Sequence, residues 1–251
     1  MVKKFIMDKR VGETPLQALE RARRARRIPS SVPMAYAGRL DPMASGKLLV
    51  LVGEECKRQK EYHALDKEYV VEVLLGISSD TGDVLGITKA HAVVFPTTKE
   101  AKKMLASFVG PYQSPYPQFS SKTVQGKPLF QWALEEEHVE KPLQHGRIHA
   151  LAYEGLRRVS TRWIDTYVKK KIASLTPVTE VSKALGRDFR KEEVRDGWEK
   201  TLHANRVYPV LTIRVRTSAG VYMRTLAEDI GKGTGTSALA LSIRRTRIFR
   251  V

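Results

Sequence analysis

The sequence predicts a mixed α/β protein, and three observations lead there. Apolar runs rich in Val and Leu and closed by glycine, "GKLLVLVG" and "KEYVVEVLLG", have the character of β-strands. Among them stand segments with helix-start signals and apolar residues at helical spacing. No repeat of fixed period organises the chain.

The elements follow in order. "VGETPLQALERARRARRIP" opens the first helix, with Thr14 as cap, Pro15 at the first helical position and Leu16 and Leu19 on one face. Its "RARRARR" end sets cations near the negative end of the helix dipole, either as a solvated face or as an RNA contact. The two Val/Leu strands come next, and "GISSDTGDVLG", residues 76–86, is a turn. Asp80 and Asp83 imitate the start of a calcium loop, but its twelfth position is His91 and no bidentate glutamate closes it. "TTKEAKKMLASFVG" predicts a helix ended by Gly110. "PYQSPYPQFSSKTVQGKPLFQWALEEE" begins as an aromatic, proline-broken loop and runs into a helix. From Arg157 to about Arg206 the chain turns charged and mostly helical, with few apolar anchors. "YPVLTIRVRTSAGVYMRTLAEDIGKGTG" gives a strand, a tight turn and a helix stopped by Gly231.

Composition bounds the function. The 251 residues suffice for a sizeable core, and 42% hydrophobic residues excludes wholesale disorder. No apolar stretch approaches the ~20 residues that span a bilayer, and "MVKKFIMDKR" lacks the apolar segment of a signal peptide. The single cysteine, Cys56, excludes an intrachain disulfide framework and a multi-cysteine zinc site. A reducing cytoplasm is the expected location. Forty-four Lys and Arg against twenty-seven Asp and Glu give a net charge of +17, the footprint of a polyanion binder, with nucleic acid the leading partner. An anionic membrane is disfavoured because no basic amphipathic segment carries the flanking Trp, Phe and Leu that such helices use.

Most chemical motifs are absent. "GKGTGTS" matches neither phosphate-loop pattern. His145 and His149 stand at helical spacing, but with a glycine between them and no third ligand they define no metal site. No G-x-S-x-G elbow occurs, and a zinc base deaminase needs cysteines that this chain lacks. What stands out is "AYAGRLDPMASGKLLVLVGEECK", where Asp41 is fixed before Pro42 and bracketed by Gly38 and Gly46. Such a carboxylate can cap a helix, bind a metal or attack a substrate. Tyr69 in an apolar strand and Arg224 on a helix are its possible companions, although each alone reads as core or exposed cation.

Five stretches in register, the first two forming one block, carry a resemblance. "GRLDPMASGKLLVLVGEECK" is followed by "DKEYVVEVLLGISSDTGDVLG", then "SPYPQFSSKTVQGKPLFQWA", "SAGVYMRTLAEDIG" and the closing "ALALSIRRTRIF". From about residue 5 to the C-terminus the chain resembles the TruB family of tRNA pseudouridine synthases. The resemblance implies a pseudouridine synthase fold: a largely antiparallel mixed sheet with flanking helices and an RNA-binding cleft. It implies isomerisation of uridine to pseudouridine in the T-loop of tRNA, at position 55, without a cofactor or metal. Asp41 is then the nucleophile, Arg224 its paired cation, and Tyr69 the ring that stacks on the flipped base. Tyr222, Ile243 and Arg39 fall where substrate is contacted, and Lys122 where phosphate is met. The T-arm of tRNA is the implied partner of a monomer that needs no guide RNA or protein subunit. The runners-up are a synthase acting on ribosomal RNA, since other pseudouridine synthase families share Arg-Leu-Asp, and a non-catalytic RNA-binding protein.

Three departures from the family pattern shape the expectations. Tyr36 stands where the family carries a histidine, and is expected to stack on the flipped nucleotide. Residues 160–205 replace a short connector and are expected to be a charged helical insertion, either gripping tRNA or elaborating the surface. Residues 1–251 are expected to form one catalytic domain without a complete C-terminal PUA domain.

Overall fold

The computed structural model describes residues 2–176, 190–202 and 205–250. Strand β1 (Lys4–Lys9) leads to helix α1 (Pro15–Ala25), then β2 (Met34–Ala37) and β3 (Ser45–Val52). A 3-10 turn at Gly53–Arg58 runs into the short α2 (Gln59–His63), and β4 (Lys67–Leu75), β5 (Ile77–Ser79) and β6 (Thr88–Ala90) follow. Next come α3 (Thr98–Ala106), β7 (Gly110–Pro115), the hairpin β8 (Thr123–Val124) and β9 (Lys127–Pro128), and α4 (Leu129–Leu134). The long β10 (Leu143–Ser160), α5 (Thr161–Ala173), α6 (Lys191–Thr201), β11 (Val207–Thr217), α7 (Met223–Gly233) and β12 (Ala238–Ile248) complete the order.

One eight-stranded sheet organises these elements in the order β1-β3-β12-β4-β11-β10-β7, with β2 also on β3. Every pairing in it is antiparallel except β12 with β3, where Arg244 and Arg245 lie opposite Ser45 and Gly46. The largely antiparallel mixed sheet with flanking helices is thus observed. Alternation along β3 divides its side chains between two small cores: Val50 and Val52 meet Leu19 of α1, while Leu49 and Leu51 meet Tyr62 and Ile248. The main core lies across β4, β11 and β12, where Val71, Val73, Ile213 and Leu239 pack with Leu226 and Ile230 of α7. None of the described helices is long and apolar enough to cross a membrane.

Local chemistry explains most of the boundaries. Thr14 accepts from Gln17 N, and the Gln17 side chain accepts from Thr14 N, a capping box that starts α1 at Pro15. Thr97 and Glu100 do the same for α3. The arginine-rich end of α1 is less free than its composition suggests. Arg21 pairs with Glu13, Arg23 donates to the Pro29 and Val32 carbonyls, and Arg26 lies 3.9 Å over the Phe5 ring. Arg24 and Arg27 remain exposed.

Several expectations need correction. Helix α3 stops at Ala106, and Gly110 opens β7 with a φ of +125°. Residues 110–115 form a strand where a loop was expected, because β7 is an edge strand and tolerates Pro111 and Pro115. Helix α7 runs through Gly231 to Gly233; Gly231 is needed for close packing, since a Cβ there would lie 2.5 Å from Ala238 N. His145 and His149 lie on a strand, not a helix, and His149 Nε2 is 3.2 Å from Asp66 Oδ2.

The largest correction concerns the charged stretch. It is strand to Ser160 and helical in α5 and α6, but it is not a solvated appendage. Ile164, Val168 and Ile172 of α5 and Val194 and Trp198 of α6 are buried in the main core. Residues 177–189 and 203–204 of this stretch lie outside the described residues.

Candidate active site

The turn between β2 and β3 is held by two buried cations that donate to backbone. Lys9 Nζ lies 2.7 Å from Ala44 O and 3.5 Å from Pro42 O. Arg245, also fully buried, donates through Nη2 to Gly38 O at 3.0 Å. Gly12 N adds a bond to Pro42 O at 2.9 Å. Burial pushes the Lys9 ammonium down to about 8, with Glu13 and Asp41 opposing it. Fixed from behind in this way, the turn presents Asp41 to a cleft of about 720 Å³. No helix follows Asp41; the chain enters β3 at Ser45, so the helix-cap reading is overturned.

Arg224 is the partner of Asp41. It leaves the first turn of α7 and is almost wholly buried, while the Asp41 side chain is 38% exposed to the cleft. Arg224 Nε stands 2.9 Å from Asp41 Oδ2, off the axis of its N–H, and Nη2 reaches Oδ1 at 3.4 Å. The other donors are anchored to main chain: Nη1 to Thr81 O at 2.8 Å and Nη2 to Phe119 O at 3.1 Å. Burial works against the guanidinium charge, but the carboxylates of Asp41, Asp83 and Glu228 outweigh it and raise its pKa. The guanidinium is thereby kept in the charged form, with Asp41 the nearer of its carboxylates.

The remaining expected residues line the same cleft. Tyr69 comes from β4 and Ile243 from β12, both buried, and together they supply an aromatic and an apolar wall. Tyr222 precedes α7 and meets Tyr116 edge-on, with centroids 5.5 Å apart; burial pushes its hydroxyl up to about 12. Lys122 lies 5.5 Å over the Tyr116 ring, and Arg39 donates to Ser121 Oγ. Tyr36, half-buried on β2, faces the same space, and its hydroxyl has no hydrogen-bond partner among the described residues.

Some site residues were not anticipated. Asp83, buried, has Oδ2 3.9 Å from Arg224 Nε, and its Oδ1 accepts from Leu85 N and Thr81 Oγ1. Burial pushes Asp83 up to about 6 against the pull of Arg224. Its available signal is the Asp-Thr-Gly-Asp turn, which imitates the start of a calcium loop and also lies in one of the blocks that carry the family resemblance. Tyr116, His63 and Lys67 also line the cleft; burial lowers the Lys67 ammonium to about 8, and burial also lowers the His63 imidazole. No cluster of three or more His, Cys, Asp or Glu suited to a metal ion occurs among the described residues.

An open cleft beside the mixed sheet thus brings together a carboxylate paired with a buried arginine and several aromatic rings. Residues 26–171 match the family model described as "TruB family pseudouridylate synthase (N terminal domain)", and the chain belongs to that family. Among curated proteins it is 30% identical to the tRNA pseudouridine synthase B of Aromatoleum aromaticum, over 97% of this chain and 62% of that protein. The corresponding protein of Ralstonia pickettii is 28% identical, over 97% of this chain and 61% of that one. The chain thus spans about three-fifths of the length of these relatives. Among solved structures, the "Crystal Structure of a Cbf5-Nop10-Gar1 Complex" contains a similar fold, with a TM-score of 0.55 and 17% identity over 98% of this chain and 48% of that chain.

Proposed function

We propose that this protein isomerises uridine to pseudouridine in the T-loop of tRNA, at position 55, with Asp41 as nucleophile and no cofactor. The observation that carries the reading is the Asp41–Arg224 pair, a half-exposed carboxylate clamped by a buried guanidinium. The buried guanidinium orients the carboxylate and faces it with a fixed opposite charge. The carboxylate can then drive cleavage of the C1′–N1 glycosidic bond, after which the freed uracil turns, bonds to C1′ through C5 and gives up its C5 proton, while N1 ends protonated. Tyr69 stacks on the flipped base and returns part of the few kcal/mol that flipping costs. Ile243 and Tyr222 hold the base plane, while Arg39 and Lys122 meet the backbone. Asp83 is a second carboxylate near Arg224, its Oδ2 3.9 Å from Nε. We further propose a cytoplasmic monomer acting without guide RNA or subunit, its described residues forming one catalytic unit into which α5 and α6 are built. The decisive experiment incubates the protein with T-arm RNA and maps pseudouridine. Product at the T-loop uridine supports the reading, product only in ribosomal RNA redirects it, and binding without product leaves an RNA-binding protein.

Affinity for tRNA is expected to depend steeply on salt. With a net charge of +17, binding releases counterions, and affinity should fall at least about tenfold between 50 and 200 mM monovalent salt. Dissociation constants across a salt series test this, and a flat series contradicts the electrostatic account.

Tyr36 yields a second expectation. Its hydroxyl has no hydrogen-bond partner among the described residues, and it lines the cleft while packing beside Leu19 and Val50, so Tyr36→Phe should retain most activity. Tyr36→Ala should lose about 1–3 kcal/mol of stacking on the nucleotide. Equal losses in single-turnover assays would assign the role to the hydroxyl, and no loss in either would leave Tyr36 a packing residue.

A further inference from the structure

We infer that Arg190, at the start of α6, is a positioning residue for the Arg224 guanidinium, an inference that rests on the catalytic reading above. The residue comes from the charged stretch that replaces a connector, yet its side chain is only 13% exposed. Its Nη1 lies 2.7 Å from Asp80 Oδ2, and its guanidinium lies 4.4 Å from the centre of the Phe119 ring. These two partners flank the two carbonyls that anchor Arg224. Thr81, next to Asp80, accepts from Arg224 Nη1, and Phe119 itself accepts from Nη2. One planar cation therefore ties together two separate segments on which the orientation of the second cation depends.

The surroundings make this a built arrangement. The other Asp80 oxygen accepts from Ile87 N at 2.8 Å, so the carboxylate is held from both sides. Arg190 has a φ of +51° and ψ of 39°, a left-handed conformation that a non-glycine residue adopts only when its surroundings over-determine it. Its carbonyl accepts from Val194 N at 2.9 Å, and α6 is anchored by the buried Trp198, whose Nε1 donates to Val84 O at 3.0 Å. Rigid attachment at Trp198 thus fixes where the Arg190 fork can reach. Arginine suits the position because a planar guanidinium can pair edge-on with a carboxylate and lie flat on a ring, which an ammonium cannot.

The test separates positioning from simple stability. Arg190→Ala should lower the single-turnover rate of pseudouridine formation about tenfold, less than the roughly 10²-fold that a 1 Å misplacement can cost, while the Kd for T-arm RNA changes less than about twofold. Arg190→Lys, which keeps the pair with Asp80, should recover part of the rate. In an Arg224→Lys background, where no fork remains to be oriented, Arg190→Ala should add less than about twofold. A wild-type rate in Arg190→Ala, or full additivity with Arg224→Lys, overturns the inference. Amide hydrogen exchange supplies an arm independent of activity: segments 79–87 and 116–122 should exchange several-fold faster in Arg190→Ala, with β4 unchanged. Unchanged exchange in those segments overturns the inference even if the wild-type protein proves inactive, whereas wild-type inactivity alone overturns only the catalytic reading.

Discussion

Asp41→Asn is expected to abolish pseudouridine formation, by on the order of 10⁴-fold or more, while leaving a folded protein that binds tRNA. The amide keeps the shape of the side chain but removes the anionic oxygen on which covalent chemistry depends. Losing one partner of a buried ion pair costs about 3–5 kcal/mol when nothing else compensates the remaining charge. Here the cost is smaller, because Arg224 keeps its bonds to Thr81 O and Phe119 O and keeps Asp83. The Asp41 charge is also among the causes that raise Asp83, so removing it lets Asp83 ionise more readily beside Arg224. Arg224→Lys should hurt activity less than Arg224→Ala, since lysine keeps the charge and loses the fork. In the Asp41→Asn background, changing Arg224 should cost no further activity, because the two act as one unit. Single-turnover assays beside thermal melts test the set. A folded Asp41→Asn protein that makes pseudouridine at the wild-type rate would remove Asp41 from the chemistry.

Much of this site could be read from sequence because its parts sit in short, ordered blocks. Gly38 through Gly46 encode the turn, with positive φ at both glycines and Pro42 between them. Thr14 and Gln17 encode a helix start by local hydrogen bonds alone. What escaped notice depends on contacts distant in the chain. The Thr81 and Phe119 carbonyls that hold Arg224 carry no side-chain signature, and Asp83 reads as an ordinary turn residue until α7 is packed against it. Strand β7 was obscured by Pro111 and Pro115, which only an edge position tolerates. In the charged stretch the periodicity was available but outweighed by composition. Ile164, Val168 and Ile172 recur every four residues, as do Val194 and Trp198, while the residues between them are mostly Lys, Arg, Asp and Glu.

That buried stripe makes Trp198→Ala a strongly destabilising change expected outside the candidate site. The indole is 2% exposed in the main core, and its Nε1 donates to Val84 O at 3.0 Å. Truncation removes the buried ring and leaves a cavity, which together cost about 3–5 kcal/mol. It also leaves the Val84 carbonyl without its donor, adding about 1–3 kcal/mol where no other group can reach it. Against a total stability of roughly 5–15 kcal/mol, such a loss endangers the fold. Trp163 on α5 is the matched control, because it is 37% exposed and stacks on Tyr167 near the surface. Trp163→Ala should cost far less, of the order of the ~0.5–1.5 kcal/mol attributed to an aromatic pair plus a modest burial term. Urea denaturation of both variants measures the difference. Comparable small losses in the two would mean that α6 contributes nothing to the core.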